Sequence, residues 1–163
     1  MFSSLPAQWL FLTCIPKFGH VRRHELLAEI PELTDLLTMN AATLRALGLA
    51  SESLAAIQAW QQQDQCHPAV AEARGILDNC RHHGIGIVAW QDTRYPEQLR
   101  HIHNAPVVLY TLGDTGLLGR EQIGIIGSRK ATRAGLDHAR RFAAELSARD
   151  LLVSSGLALG VDG

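Results

Sequence analysis

The residues best suited to chemistry form a short polar turn after an apolar run, in the segment IGIIGSRKATRAG at residues 123–135. Gly127 is followed there by Ser128, Arg129 and Lys130. Glycine lets a backbone approach a ligand closely, and the guanidinium fork of an arginine matches the oxygens of a phosphate. The pattern predicts a strand, a tight turn and a helix whose positive end faces the turn, which is an arrangement that binds phosphate.

A second glycine- and serine-rich turn, SSGLALGVDG at residues 154–163, follows another short apolar run and contains Ser155, Gly156 and Gly160. Ligands of open parallel sheets collect at the carboxyl ends of the strands. We therefore expect the two turns to lie side by side and to cradle a phosphate. The alternative interpretation is that the glycines serve only tight packing and that the Arg129 side chain is solvated.

The glycine spacing differs from that of the common nucleotide-binding motifs. A dinucleotide fingerprint has G-x-G-x-x-G and an acidic residue at the end of the second strand. Here two residues separate Gly124 from Gly127, and the second apolar run ends in two serines. The sequence also contains no GKS or GKT of a Walker loop. We therefore predict no nicotinamide cofactor and no chemistry driven by ATP hydrolysis.

The histidines and cysteines do not form a catalytic or metal-binding pattern. His20 and His24 have the i,i+4 spacing of zinc ligands, but the sequence offers no third ligand nearby, so both are interpreted as surface or packing residues. Cys14, Cys66 and Cys80 form no CxxC pair, which predicts reduced thiols in a cytoplasmic protein. We predict no metal site, and no Ser–His–Asp or Cys–His set can be assembled.

Charge is unevenly distributed along the chain, whose formal net charge is −1. Residues 1–70 carry four lysines and arginines against six acidic residues, whereas residues 120–150 carry seven against four. The basic excess coincides with the first turn, as an anion site requires. The apolar stretch WLFLTCI near the start is too short to span a bilayer and predicts a buried helix.

Hydrophobic periodicity divides the sequence in two. Residues 1–64 show helical spacing only, and the polar stretch QQQDQCHP after them is the predicted linker. From residue 85 come four short apolar runs, IGIVAW, PVVLYT, IGII and LLVS, with an amphipathic helix between the last two. Such runs predict a parallel sheet. We predict a small all-α domain over residues 1–64 and an α/β domain with an incomplete parallel sheet over residues 69–163, truncated at its C-terminal end.

Local signals predict how several helices begin, end and pack. Asn40 and Ser51 are the predicted N-caps of two short helices, and Gly84 is the predicted C-terminal cap of a helix over residues 69–82. The apolar positions of the helix before the last strand, residues 136, 139, 143 and 146, are predicted to form one stripe.

The two turns, together with a segment upstream, resemble the DprA/Smf family, the bacterial DNA-processing proteins A. The upstream segment DTRYPEQLRHIHNAPVVLYTLGD is similar to the family pattern D-x-x-YP-x-x-L-x-x-I-x-x-x-P-x-x-L-x-x-x-G. The matching positions are Asp92, Tyr95, Pro96, Leu99, Pro106, Leu109 and Gly113. The three motifs cover about residues 85–163. The helical front part resembles the helix-hairpin-helix or SAM-like domain that precedes a Rossmann-like domain in many members.

This resemblance implies a function. DprA-like proteins bind single-stranded DNA without strong sequence preference, protect incoming DNA during natural transformation and load the RecA recombinase onto it. They work as dimers, as mediators with no known turnover chemistry. The family's first turn matches Gly127, Ser128 and Arg129, and its second turn matches Ser155, Gly156, Gly160 and Asp162. The resemblance therefore implies that these turns hold a phosphate of a DNA strand.

One departure from the family pattern removes a cation beside the pocket. The family usually has an arginine where this chain has Leu159. Lys130 or Arg133 would then supply the missing charge, or DNA would be bound more weakly there.

Two other interpretations stay open at this point. Nucleotide phosphoribohydrolases of the lysine-decarboxylase-like group are enzymes on a related Rossmann-like fold. The helical part, which is net acidic, is also suited to binding a protein rather than DNA.

Overall fold

The structure, a computed structural model, describes residues 4–163. Its internal contacts divide the chain into two compact units, one ending at Thr115 and one running from Gly116 to Gly163. The first unit contains the helices α1 (Leu5–Cys14), α2 (His20–Glu29), α3 (Ala41–Ala46), α4 (Ser51–Gln61), α5 (Pro68–His82) and α6 (Glu97–Arg100), a 3-10 turn at Leu33–Leu37, and the strands β1 (Gly86–Ala89) and β2 (Val108–Thr111). The second unit contains β3 (Gln122–Gly124), α7 (Arg133–Ser147) and β4 (Leu152–Ser154), and a 3-10 turn at Thr115–Gly119 lies where the two units join.

Helix α1 is the centre of the first unit. Trp9, Leu10, Phe11 and Leu12 are fully buried, because this helix is apolar on every face and is covered on several sides. It packs against α5 and against both strands of the first unit. The apolar stretch near the start of the sequence therefore forms a buried core helix, as predicted.

The boundary between the units differs from the one that the polar stretch predicts. One hydrophobic cluster joins Phe11 of α1 and Ile57 of α4 to Ala73 of α5 and to Val108 of β2. Residues 61–66 are exposed, but they form a turn between two helices of the same core. The structure thus places the division after Thr115, whereas the sequence pattern places it between residues 64 and 69.

Limited proteolysis tests where the division lies. Because α5 packs against α1, a nick within residues 61–66 is expected to leave the two pieces associated in one folded particle on size exclusion. Cleavage near Thr115 is expected to leave the fragment up to Thr115 folded. A fragment 1–64 that elutes alone as a folded monomer would contradict this division and would support the boundary at residues 64–69.

The strands form two separate pairs. Strands β3 and β4 are parallel, with Ile123 opposite Val153, and α7 supplies the long crossover that parallel neighbours need. Strands β1 and β2 are antiparallel, with Ala89 opposite Val108. The prediction of a parallel sheet is therefore wrong for the first two apolar runs, whose connection contains only the four-residue helix α6. An apolar run indicates a buried strand without fixing the direction of its partner.

Most of the local helix signals are confirmed. The Asn40 side chain accepts the N–H of Thr43 at 2.9 Å and caps α3. Gly84 follows α5 with φ +65°, the left-handed conformation of a C-terminal cap. Ser51 is the first residue of α4 rather than its cap, because Ala50 holds the N-cap position. The stripe predicted for α7 is also confirmed, since residues 136, 139, 143 and 146 are half-buried on a helix whose other apolar side chains are exposed.

The histidine pair of α2 is interpreted correctly as surface and packing. His20 is exposed, whereas His24 lies against Trp90 and is hydrogen bonded through Nε2 to the carbonyl oxygen of Ala105 at 2.7 Å. Within residues 4–163, no group of three histidine, cysteine or acidic side chains is placed to hold a metal ion. The described helices are also all too short or too polar to cross a membrane.

Candidate nucleic-acid interface

The upstream motif DTRYP is a packing motif of the first unit. Tyr95 is 4% exposed, and its hydroxyl donates to the carbonyl oxygen of Pro106 at 2.6 Å. The Arg100 guanidinium lies over the rings of Trp90 and Tyr95, at 4.8 and 4.9 Å from their centroids. Cation–π contacts of this kind stabilise a fold. Tyr95 and Arg100 therefore fix the connection between β1 and β2.

The aspartate of this motif closes the tight turn that precedes Tyr95. The Asp92 carboxylate accepts a hydrogen bond from the backbone N–H of Arg94 at 2.9 Å. It also accepts from the Arg94 side chain, from Nε at 2.9 Å and from Nη2 at 2.5 Å. These hydrogen bonds from Arg94 hold the pKa of Asp92 below its usual value. The charged side chains of this motif are thus bonded to each other, and the candidate anion-binding site lies in the second unit.

The first turn of the second unit connects the end of β3 to the start of α7. The backbone pairing of β3 with β4 continues one residue further, since the N–H of Ile125 donates to the carbonyl oxygen of Ser154 at 2.9 Å. Thr132 is the N-cap of α7, and its side chain accepts the N–H of Gly135 at 3.1 Å. The helix consequently begins at Arg133, three residues before the first position of the predicted apolar stripe. A threonine directly before the first helical residue, three positions before Gly135, was the signal that could have placed it.

The two turns lie side by side and are hydrogen bonded to each other. The N–H of Val161 in the second turn donates to the carbonyl oxygen of Ser128 in the first, at 3.2 Å. The N–H of Gly127 donates to the Asp162 carboxylate at 2.9 Å. Within the second turn, the Ser155 hydroxyl donates to the carbonyl oxygen of Asp162 at 2.6 Å. The carboxyl ends of the two parallel strands therefore form one continuous surface.

Glycines permit this close approach. A Cβ on Gly160 would overlap the carbonyl oxygen of Ser128 and would lie 2.7 Å from the Cα of Arg129. Gly160 also has φ +98°, which side chains rarely allow. A Cβ on Gly127 would lie 2.8 Å from the Cβ of Val161. Gly127 and Gly160 therefore permit close packing, and this packing brings the backbone of both turns together.

The cations of the first turn are exposed and lack acidic partners. Arg129, Lys130 and Arg133 make no ion pair with any residue of the 4–163 range. Of the four other arginines of this unit, three are paired, and Arg141, farther along α7, makes no ion pair with a described residue. Arg120, Arg140 and Arg149 are paired with Asp150, Asp137 and Glu145. Uncompensated positive charge is therefore concentrated at the turn, where it attracts anions.

The turn also presents backbone donors. The N–H of Lys130 is taken by the Ser128 hydroxyl at 3.1 Å, whereas the N–H groups of Ser128 and Arg129 have no acceptor within the described residues. Ser155 and Gly156 are exposed beside them, and Leu159, at the position of the family's arginine, is 84% exposed. Seven of the eight predicted site residues thus lie in the two adjoining turns, and the eighth, Arg133, is the first residue of α7.

Comparison with known proteins identifies the segment that contains this surface. Residues 86–163 match the family model described as DNA recombination-mediator protein A. This segment belongs to the DprA family. The DNA processing protein DprA of Bacillus subtilis is 34% identical over 89 residues, and that of Streptococcus pneumoniae is 34% identical over 71 residues. These alignments cover 54% and 44% of this chain but only 30% and 25% of the two relatives.

The DprA match confirms the resemblance drawn from the three motifs. It contains strands of both units and both turns, so all eight predicted site residues lie within it. The helices α1 to α5 precede it, and their likeness to a helix-hairpin-helix or SAM-like domain stays a prediction. The β3–α7–β4 unit is a parallel crossover, and its assignment to a Rossmann-like fold also stays a prediction.

Proposed function

We propose that this DprA-family chain binds single-stranded DNA by its phosphate backbone and acts as a mediator of DNA recombination. The ligand site is the first turn, Gly127 to Arg133, supported from behind by Ser155, Gly156 and Gly160. In this proposal the protein holds DNA without changing it covalently and needs no cofactor. It protects incoming DNA during natural transformation in the cytoplasm and delivers it to the RecA recombinase.

The observation that carries the proposal is the clustering of unpaired cations at the start of α7. The positive end of the fifteen-residue helix α7 lies at these cations, since Arg133 is its first residue and Arg129 and Lys130 come just before it. Three of the four other arginines of the unit are paired with neighbouring carboxylates, whereas Arg141 stands singly farther along α7. A helix N-terminus with uncompensated arginines and backbone N–H groups is suited to a phosphate oxygen.

This surface is better suited to a DNA strand than to a free nucleotide, which would need an enclosed pocket. The turn is open to solvent, since Ser128, Arg129 and Lys130 are all exposed. It presents charges and backbone donors without an enclosed space for a base. Contacts to phosphate position a strand but carry no sequence information. We therefore infer binding that depends weakly on base composition.

Recombination mediation follows from the family rather than from the turn. Both curated relatives are DNA processing proteins. Handing a strand to a recombinase requires release, and backbone contacts dominated by charge are readily exchanged as other cations or proteins compete. A homodimer would present two such turns and extend the bound length of strand.

Competition binding tests this function. A labelled mixed-sequence oligonucleotide is bound to the protein, and fluorescence anisotropy is followed as unlabelled competitors are added at matched ionic strength. Unlabelled poly-dT and poly-dC are expected to compete equally per nucleotide, and ATP is expected not to compete. Displacement by ATP as effective as that by DNA, or by one base composition only, would contradict the proposed function.

A further inference from the structure

The phosphate-binding surface contains a carboxylate of its own. The Asp162 side chain reaches across from the second turn, and its Oδ1 accepts the N–H of Gly127 at 2.9 Å. Its other oxygen, Oδ2, lies 3.2 Å from where a Cβ of Gly156 would be. The main chain of Asp162 is fixed as well, because its carbonyl oxygen accepts the Ser155 hydroxyl. The Asp162 side chain is therefore held between its own turn and the first turn.

The position of this carboxylate determines which donors a ligand can use. Gly127 lies just beyond the end of β3, and in phosphate-binding strand–turn–helix units the N–H groups at this place face the ligand. Here that N–H is already bonded to an anion. A phosphate docked against the end of the strand would lose this donor and would face a second negative charge.

The next residues of the turn stay accessible. The N–H groups of Ser128 and Arg129 have no acceptor within residues 4–163, and the side chains of Arg129 and Lys130 have no acidic partner there. They lie on the helix side of Gly127, away from the strand end. An anion can therefore approach the outer part of the turn without displacing the carboxylate.

We infer that Asp162 closes the strand end of the cradle to terminal phosphates and so makes the site selective for the phosphodiesters of a DNA strand. This rests on the proposed function. A terminal phosphate carries about 1.5 to 2 negative charges and three free oxygens, so it needs converging donors and is repelled by a nearby carboxylate. A phosphodiester carries one charge and two free oxygens, for which the outer turn suffices.

The variant Asp162→Asn tests this selectivity. Its amide oxygen can still accept the N–H of Gly127, so the two turns stay tied while the charge is removed. Thymidine monophosphate is added to protein bound to labelled single-stranded DNA, at constant ionic strength. It is expected to displace DNA from the unaltered protein only at high concentration. From Asp162→Asn it should displace DNA at a concentration lower by about fivefold or more, the effect expected for removing one close charge.

Asp150→Asn is the matched control. Asp150 is 91% exposed in its side chain, pairs with Arg120 and lies between α7 and β4, at the opposite end of the strands. This variant changes the net charge equally and should leave the competition unchanged. Equal competition in Asp162→Asn and Asp150→Asn would overturn the inference, and so would a lower DNA affinity of Asp162→Asn with an unaltered melting temperature.

A second measurement uses the unaltered protein and so does not depend on the variant folding. Backbone amide resonances are followed by NMR as oligo-dT is added. The amides of Ser128 and Arg129 are expected to shift while that of Gly127 stays in place. A shift of Gly127 as large as theirs overturns the role of Asp162 but leaves DNA binding intact. Absence of any shift in the turn overturns the proposed function and the inference together.

Discussion

Gly160→Ala is expected to lower the affinity for single-stranded DNA by about tenfold or more, since strain of about 1 to 3 kcal/mol is introduced where the two turns meet. The added Cβ overlaps the carbonyl oxygen of Ser128 and comes to 2.7 Å from the Cα of Arg129. It also forces alanine into φ +98°. The first turn must therefore move, and with it the donors and cations that the phosphate contacts.

Gly124→Ala is the matched control for this substitution. Gly124 lies in β3 of the same unit, and a Cβ there meets nothing within 4 Å. Its DNA affinity is expected to stay within twofold of the unaltered protein, a difference of about 0.4 kcal/mol. Anisotropy titrations on one oligonucleotide compare the three proteins, with a thermal melt to confirm folding. Unchanged DNA affinity of Gly160→Ala would show that the contact between the turns does not shape the site.

Local sequence patterns were sufficient to predict the strand, turn and helix that form this site. The apolar run at residues 123–126, the glycine that ends it and the stripe of α7 are short-range features, each set by neighbours a few residues apart. They predicted a strand, a turn and a helix in the order observed. Asn40 and Gly84 were found for the same reason, because helix caps are defined by the backbone beside them.

Long-range packing was beyond these patterns. The hydrogen bond between Gly127 and Asp162 joins residues 35 positions apart. No spacing pattern in the sequence predicts that an aspartate in a glycine-rich turn makes such a contact. The antiparallel pairing of β1 with β2 was missed because an apolar run has the same appearance in either direction. The polar residues 61–66 suggested a boundary, although the helices on both sides share one core.

Arg129→Ala is expected to lower the affinity for single-stranded DNA by about tenfold at low salt, the range for a charge-assisted hydrogen bond to phosphate. Arg129 is exposed and has no acidic partner within the described residues, so its removal takes away a ligand contact rather than a fold contact. The thermal melt should therefore be nearly unchanged. The loss should be similar on poly-dT, poly-dC and mixed oligonucleotides, since phosphate contacts carry no sequence information.

Arg149→Ala is the matched control for the loss of a positive charge. Arg149 follows the other end of α7, and its side chain lies 3.9 Å from the Glu145 carboxylate. Like Arg129 it is exposed, but it lies at the far end of the helix from the proposed site. Its replacement should change DNA affinity by less than about twofold, a difference of about 0.4 kcal/mol. Equal losses from Arg129→Ala and Arg149→Ala would indicate general attraction without a phosphate contact.

The dependence of affinity on salt tests the central claim most directly. The logarithm of the affinity is plotted against the logarithm of salt concentration for the unaltered protein and for Arg129→Ala on each oligonucleotide. If Arg129 neutralises one phosphate of a single strand, the slope falls in magnitude by about 0.7 in the variant, whatever the base composition. An unchanged slope, or a loss confined to one base composition, would contradict a phosphate-binding role for the turn.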